Sequence, residues 1–266
     1  MSEPHVLRSE RDGILELVLN RPQKLNALTS QMMRTIRHAV DDLRDRADLK
    51  VMLIRAKGRY FCAGADLVEG DGEGYGHSAT RARTGVRTTM KGGMQMLYEE
   101  MERVEKPIVV AHHATCVGGG LEMSLSCDFR LAARSAAYHF PEMGHGMLPL
   151  SGGISRLARI CGPHWTKWMT VANEKVSAER ALIMGLVHDI YPDETFEEDV
   201  WAFCTRLAEK PPEAVAVGKL AVELAADLAS DQARQLERLT FSTLIFGKEH
   251  HELMAHMQAR LGGVKT

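Results

Sequence analysis

Disulfide and zinc chemistry find little to work with in this chain. Its five cysteines, Cys62, Cys116, Cys127, Cys161 and Cys204, are odd in number and include no CxxC spacing. That argues for reduced thiols rather than a disulfide framework or a zinc site. An excess of one charge is lacking too: 33 basic and 35 acidic residues leave a net charge of −2. No basic balance points to nucleic acid, and no acidic block points to a disordered tail. No apolar run is long enough to span a membrane. The N-terminal stretch MSEPHVLRSERDG is polar, with neither an apolar core nor a cleavage signal, so the expectation is a soluble protein of the cytoplasm.

Several catalytic signatures are missing as well. The chain has no GxSxG nucleophile elbow, no GxGxxG dinucleotide fingerprint and no GxxxxGKS phosphate loop. His251-Glu252 with His256 has the look of a zinc helix, but the spacing is HExxxH. Residues five apart on a helix point about 140° apart, so two such histidines cannot share one ion. No metal and no separate cofactor are expected.

What is there is an ordinary globular composition, 45% hydrophobic and 26% charged over 266 residues. That suffices for a large core in one or two domains. Residues 5–19 read as a strand, a turn at Asp12-Gly13 and a second strand, ILELVL. Thr29 or Ser30 can cap a helix to about Asp45, with Met33, Ile36, Val40 and Leu43 on one face. KVMLIRA, IVVAH and FRLAA read as short strands. In residues 67–85, Gly70, Gly72, Gly74 and Gly76 alternate with acidic and aromatic residues, the pattern of a mobile loop. A helix follows with Val86, Met90, Met94, Leu97, Met101 and Val104 as its apolar stripe. Its methionines suit a core, and Arg83, Arg87 and Lys91 form a solvated basic face.

Later helices are opened by Ile154, Leu157 and Ala158, marked by Trp165, Trp168 and Met169, and capped by Ser177 with an end at Gly185. Beyond residue 193 the pattern is wholly helical. Phe196, Val200, Phe203 and Leu207 form one stripe, and Val217, Leu220, Leu224 and Leu228 a second. Leu253, Met254, Met257 and Leu261 close the chain. Alternating strands and helices argue for an α/β fold with crossover connections. The change near residue 193 marks a candidate boundary.

The chain is organised around CVGGGLEMSLSCD, residues 116–128. Gly118, Gly119 and Gly120 let the backbone turn sharply and let a ligand approach bare N–H groups. The apolar run after them reads as a buried helix, whose start presents unpaired donors and a positive dipole end. Such a corner suits an oxygen that gains negative charge during a reaction. Glu122 falls in the first turn and holds a carboxylate beside it. Upstream, His112 and His113 are adjacent and face opposite sides of a strand, so one of them reads as a hydrogen-bonded core or interface histidine.

Three segments can cooperate: Ala63-Gly64-Ala65-Asp66 at a strand end, Gly118 to Glu122, and Phe140-Pro141-Glu142 with Pro149 and Gly152-Gly153 downstream. Together with NRPQKLNAL (20–28), GRYFCAGADL (58–67), Lys106-Pro107-Ile108, Cys127-Asp128, Ala181-Leu182 and Gly185-Leu186-Val187, they make the chain resemble the crotonase, or enoyl-CoA hydratase/isomerase, superfamily. The resemblance covers nearly the whole chain. Each piece alone is weak, and the combination in this order is highly specific.

The resemblance implies an α/β spiral of ββα turns over residues 1–192, which holds an acyl-CoA site. It implies a helical trimerisation region over 193–266, assembled as a homotrimer or a dimer of trimers. The N–H groups of Ala65 and Gly119 would form an oxyanion hole around the thioester carbonyl. Ala63, Ala65, Asp66, Leu67, Val68, Gly118 and Gly119 would line the substrate, with Lys24 and Ala27 near its nucleotide end. Glu122 and Glu142 match the two acid/base glutamates of the hydratases. Coenzyme A would enter as part of the substrate.

Three departures surround the second glutamate. The family usually has Asn-Gly at His113-Ala114, Gly-Ala before Gly152-Gly153 where this chain has Leu150-Ser151, and an apolar residue at His145. They leave the acyl group open, and with it the choice between an enoyl-CoA hydratase and an isomerase, lyase or hydrolase of the same class. RNA binding, which some relatives of this fold show, would want a basic face that a net charge of −2 does not supply.

Overall fold

The computed structural model describes residues 3–66 and 93–262. The glycine-spaced loop, Leu67, Val68, the Arg83, Arg87 and Lys91 stripe and the Val86 and Met90 end of the methionine helix lie outside those residues. Asp12 and Gly13 take φ of 54° and 77°. Two consecutive positive φ values match the twist of a tight hairpin, and they join β1 (Val6–Arg11) to an antiparallel β2 (Ile14–Leu19). Thr29 caps α1 (Ser30–Asp45) by accepting the Met32 N–H. The buried face of α1 is Met32, Ile36, Ala39, Val40 and Leu43. It centres on Met32 rather than Met33, which is only partly buried.

Three ββα turns follow. The first comprises β3 (Val51–Ala56), β4 (Tyr60–Cys62) and α2 (Met94–Arg103). The second comprises β5 (Ile108–His112), β6 (Thr115–Val117) and α3 (Gly119–Leu125). The third comprises β7 (Phe129–Ala133), β8 (Ala137–His139) and α4 (Gly153–Thr170). Each turn gives one strand to each of two sheets, so the chain advances as a spiral. With β9 (Val176–Ser177) and β10 (Asp189–Tyr191) the orders are β1-β2-β3-β5-β7-β10 and β4-β6-β8-β9. From β2 to β10 the larger sheet is parallel.

The apolar runs VMLI and IVVA are explained by burial on both faces, as parallel strands require. Met52, Ile54, Ile108 and Val110 face inward to the main core with α1 and α2. Val51, Leu53, Val109, Ala111, Leu131 and Ala133 face the other way, under Phe196, Val200, Cys204 and Ala208 of α6 (Phe196–Ala208). The α6 stripe thus runs through Cys204 and Ala208, with Phe203 and Leu207 only partly buried at its rim. The two helices read around Ile154 and Trp165 are present and follow one another within α4 (Gly153–Thr170), separated by a kink at non-helical Gly162 (φ 77°) just before Pro163. Ser177 caps α5 (Ala178–Ile183), and Gly185 at φ 78° lies just past its end.

The last three helices are α7 (Pro212–Ala225), α8 (Ser230–Ile245) and α9 (Lys248–Gly262). They bury little within the chain. Val222, Leu239, Phe241 and Phe246 are 71%, 67%, 61% and 79% exposed, a concentration of apolar surface that a monomeric protein rarely shows. No helix among the described residues is long and apolar enough to cross a membrane.

Candidate active site

The start of α3 is built by glycine conformations. Gly118 takes φ 50°, ψ −124°, a region open to glycine, and a Cβ there would lie 2.6 Å from Glu142 Oε1. Its N–H donates to the His139 carbonyl, and its carbonyl accepts the first helical bond, from Glu122. The Gly119 N–H therefore precedes the helical ladder and has no intrahelical acceptor. All seven residues of α3 are buried. Beneath them His112 is fully buried between Ser124 Oγ (2.7 Å) and Tyr138 OH (3.2 Å). Burial pushes its pKa down to about 3, so this member of the histidine pair is a neutral core residue.

Ala65 meets this corner from β4. Leu28 bridges the chain at Ala65 by bonding to its neighbours: its N–H donates to the Gly64 carbonyl, and its carbonyl accepts from the Asp66 N–H. The Ala65 N–H thus points away from Leu28, toward α3. A Cβ built on Gly119 would sit 3.3 Å from the Ala65 nitrogen and 3.4 Å from Met94 Sδ. Two backbone N–H groups and a bare Cα share one small space, which is what a developing oxyanion needs. Behind this strand end the Arg21 guanidinium bonds Asp66 at 2.5 Å with both side chains buried. Fully buried Asn26 accepts the Arg21 N–H and donates to the Lys57 and Tyr60 carbonyls. Lys24 is exposed and Ala27 half-buried, and half-buried Ala63 is tied to this stretch by donating its N–H to the Leu25 carbonyl.

Both glutamates face the same corner. Glu122 is 5% exposed, and its Oε1 accepts the N–H groups of Ser151 (2.6 Å) and Gly153 (3.1 Å). Burial pushes its pKa up to about 7, with the charge of nearby Glu142 adding to the rise and the two N–H donors opposing it. Glu142 opens a 3₁₀ turn over residues 142–145. Burial raises its pKa too, and its Oε2 is buried without a hydrogen-bond partner among the described residues. Burial thus disfavours the ionised form of both carboxyls, and the charge of Glu142 disfavours that of Glu122 further.

The folded pKa of Glu122 lies above its ordinary 4.5. Its contribution to stability is full below about 4.5 and lost as pH rises through about 7, at most on the order of 3 kcal/mol. Glu122→Gln keeps an oxygen for Ser151 and Gly153 and lacks this loss. Urea midpoints should shift in favour of the variant between about pH 5 and about pH 8. A stability gap independent of pH would contradict the assignment.

The sequence pointed to Glu122, Glu142, Ala65 and Gly119, and the fold brings them together. It gave no notice of Tyr98, whose hydroxyl donates to the Gly119 carbonyl at 2.9 Å, nor of Arg156, which bonds the Ser151 carbonyl at 2.7 Å. Their signal was faint: Tyr98 interrupts a methionine stripe, and Arg156 is one arginine in a helix. Among the described residues no group of His, Cys, Asp and Glu is placed to hold a metal ion.

A profile of the enoyl-CoA hydratase/isomerase family matches residues 9–259. The 2,3-dehydroadipyl-CoA hydratase of Escherichia coli K12 is 28% identical over 261 residues, covering 98% of this chain and 97% of that protein. The crotonyl-CoA hydratase of Syntrophomonas wolfei is 28% identical, covering 96% and 95%. Among solved structures, an enoyl-CoA hydratase from Bacillus anthracis superposes with a TM-score of 0.87 at 26% identity, over 96% of each chain. Profile, relatives and fold agree, and the chain belongs to the enoyl-CoA hydratase/isomerase family of the crotonase superfamily.

Proposed function

We propose that this protein is an enoyl-CoA hydratase, which adds water across the α,β double bond of an enoyl-CoA thioester. The observation that carries the reading is the placement of two buried carboxyls, Glu122 and Glu142, at the corner where the Ala65 and Gly119 N–H groups meet. Shifting a double bond requires one group that takes a proton from one carbon and returns it to another. Hydration requires two transfers, and two carboxyls supply both. The hydratase names of the relatives support the same choice.

In this mechanism the thioester carbonyl lies against the N–H groups of Ala65 and Gly119, which stabilise negative charge on its oxygen as the enolate forms. Glu122, whose Oε1 is held as an acceptor by Ser151 and Gly153, takes a proton from water as the oxygen bonds to the β-carbon. Glu142 carries the other proton and delivers it to the α-carbon. The substrate gains one water, the proton has moved from Glu142 to Glu122, and transfer between the two carboxyls restores the starting state. The exposed Lys24 and half-buried Ala27 suit the phosphate-rich end of coenzyme A, with Leu67 and Val68 assigned to the acyl path by resemblance alone. A panel of enoyl-CoA thioesters, followed by loss of the conjugated thioester absorbance, tests the reading. Conversion with chiral 3-hydroxyacyl product is expected, and no loss with any of them would contradict it.

The exposed apolar residues of α7 to α9 suit a homotrimer, alone or paired as a dimer of trimers. Deleting the chain from about residue 230 removes α8 and α9. Size-exclusion chromatography should then show aggregated or monomeric protein without activity. An active monomer of that length would contradict the assembly.

A further inference from the structure

We propose that Tyr98 and Glu102, four residues apart on one face of α2, are positioning residues that hold the two halves of the reaction centre in register, Tyr98 through the Gly119 carbonyl and Glu102 through Arg156. Residues at i and i+4 lie one above the other on a helix face. The Tyr98 hydroxyl donates to the Gly119 carbonyl at 2.9 Å and is fully buried. That fixes the carbonyl of the residue whose N–H faces Ala65. One turn on, Glu102 accepts a two-pronged bond from Arg156, Nε to Oε1 at 2.5 Å and Nη2 to Oε2 at 2.6 Å.

The remaining nitrogen of that guanidinium, Nη1, donates to the Ser151 carbonyl at 2.7 Å. Ser151 in turn donates its N–H to Glu122 at 2.6 Å, and Gly153 adds a second at 3.1 Å. The guanidinium therefore clamps the turn that supplies both donors to Glu122. Gly152 shows how close the clamp lies: a Cβ there would stand 2.0 Å from Nη1, and its φ is 93°. A planar fork of this kind fixes direction as well as distance, which an ammonium cannot do. Arg156 is 9% exposed, so the guanidinium itself is buried, while the Glu102 side chain stays one-third exposed. Among the described residues the hydrogen bonds of the Tyr98 and Glu102 side chains go to the Gly119 carbonyl and to Arg156, not to either site carboxyl. They act through other residues, and one rigid helix face ties oxyanion donor to carboxylate.

Among the described residues, the charged and titratable groups facing Glu122 are Glu142 across the site, Tyr98 from α2 and Arg156 from α4. Arg156 is the cation among them and favours the ionised form. The rate measurements rest on the hydratase reading, and the titration of Glu122 does not. The test compares Tyr98→Phe, Glu102→Gln, Arg156→Lys and Arg156→Gln with the wild type in the full-length protein. The readouts are kcat and KM for a short enoyl-CoA, and infrared titration of the buried carboxyl, assigned with Glu122→Gln. Each of the four is expected to lower kcat on the order of tenfold with KM within about twofold, since misplacement rather than lost binding is the cause. Arg156→Gln should also raise the Glu122 midpoint, and Tyr98→Phe should leave it unmoved. The proposal is overturned if Arg156→Lys restores kcat in full, or if Glu102→Gln and Tyr98→Phe turn over like the wild type. It is overturned too if Arg156→Gln, folded by circular dichroism, leaves the midpoint unchanged. Should Arg156→Gln fail to fold, Glu102→Gln decides, because its side chain is one-third exposed and the change is isosteric. A wild type that hydrates nothing refutes the hydratase reading, while a raised midpoint in Arg156→Gln would still support the clamp.

Discussion

Glu122→Gln and Glu142→Gln are each expected to lower kcat for hydration by on the order of a thousandfold, within the range that positioned acid–base groups supply. The double variant should be little worse than either single one, because in the proposed mechanism the two carboxyls act as one unit. KM should change less, since the contacts assigned to coenzyme A lie elsewhere. The fold should persist in both. At position 122 the glutamine oxygen still accepts from Ser151 and Gly153, and at 142 the amide replaces a carboxyl whose ionised form burial already disfavours. Stopped-flow measurement of absorbance loss checks both values. Full hydration by Glu122→Gln would leave the one-carboxylate isomerase as the better reading.

The second large effect belongs to Gly119→Val. Its φ is not among the positive ones, so the backbone tolerates a side chain, and the obstacle is space. The Cβ alone would come within 3.3 Å of the Ala65 nitrogen and 3.4 Å of Met94 Sδ, and two further methyl groups would fill the place proposed for the thioester oxygen. Losing one oxyanion donor typically costs about 3–4 kcal/mol of transition-state stabilisation, and blocking access to both should cost at least that. Turnover is expected to vanish while circular dichroism and the thermal midpoint stay close to the wild type. At neighbouring Gly118 the positive φ and the 2.6 Å approach of Glu142 Oε1 add strain, so a substitution there would confuse loss of fold with loss of chemistry. A Gly119→Val protein with unchanged kcat would remove Ala65 and Gly119 from the mechanism.

What the sequence made legible was local. Asp12-Gly13, Thr29 and Ser177 announce a hairpin and two helix starts because turn and cap chemistry depends on a few adjacent residues. The glycine triplet before Glu122 announced the corner for the same reason. The α6 stripe was misplaced by a residue because Cys204 and Ala208 fit against the sheet where bulkier Phe203 and Leu207 do not. Ser151 stood out as a departure from the family pattern, but its backbone N–H carries no side-chain signature, and only the packing of α4 against α3 turns it onto Glu122. Arg156 and Glu102 are 54 residues apart, beyond the reach of any periodicity. The helical stripe of Leu220, Leu224 and Leu228 was visible, whereas its exposure in the folded chain was not.

The most direct measurement of the central claim is solvent-oxygen incorporation. The wild-type protein is incubated with a short enoyl-CoA in water labelled with heavy oxygen, and the product is read by mass spectrometry. Two carboxyls acting on one water predict a 3-hydroxyacyl-CoA carrying one labelled oxygen atom per molecule, and the same protein with Glu122→Gln should give almost none. A shifted double bond with no label in the product would contradict the hydratase account.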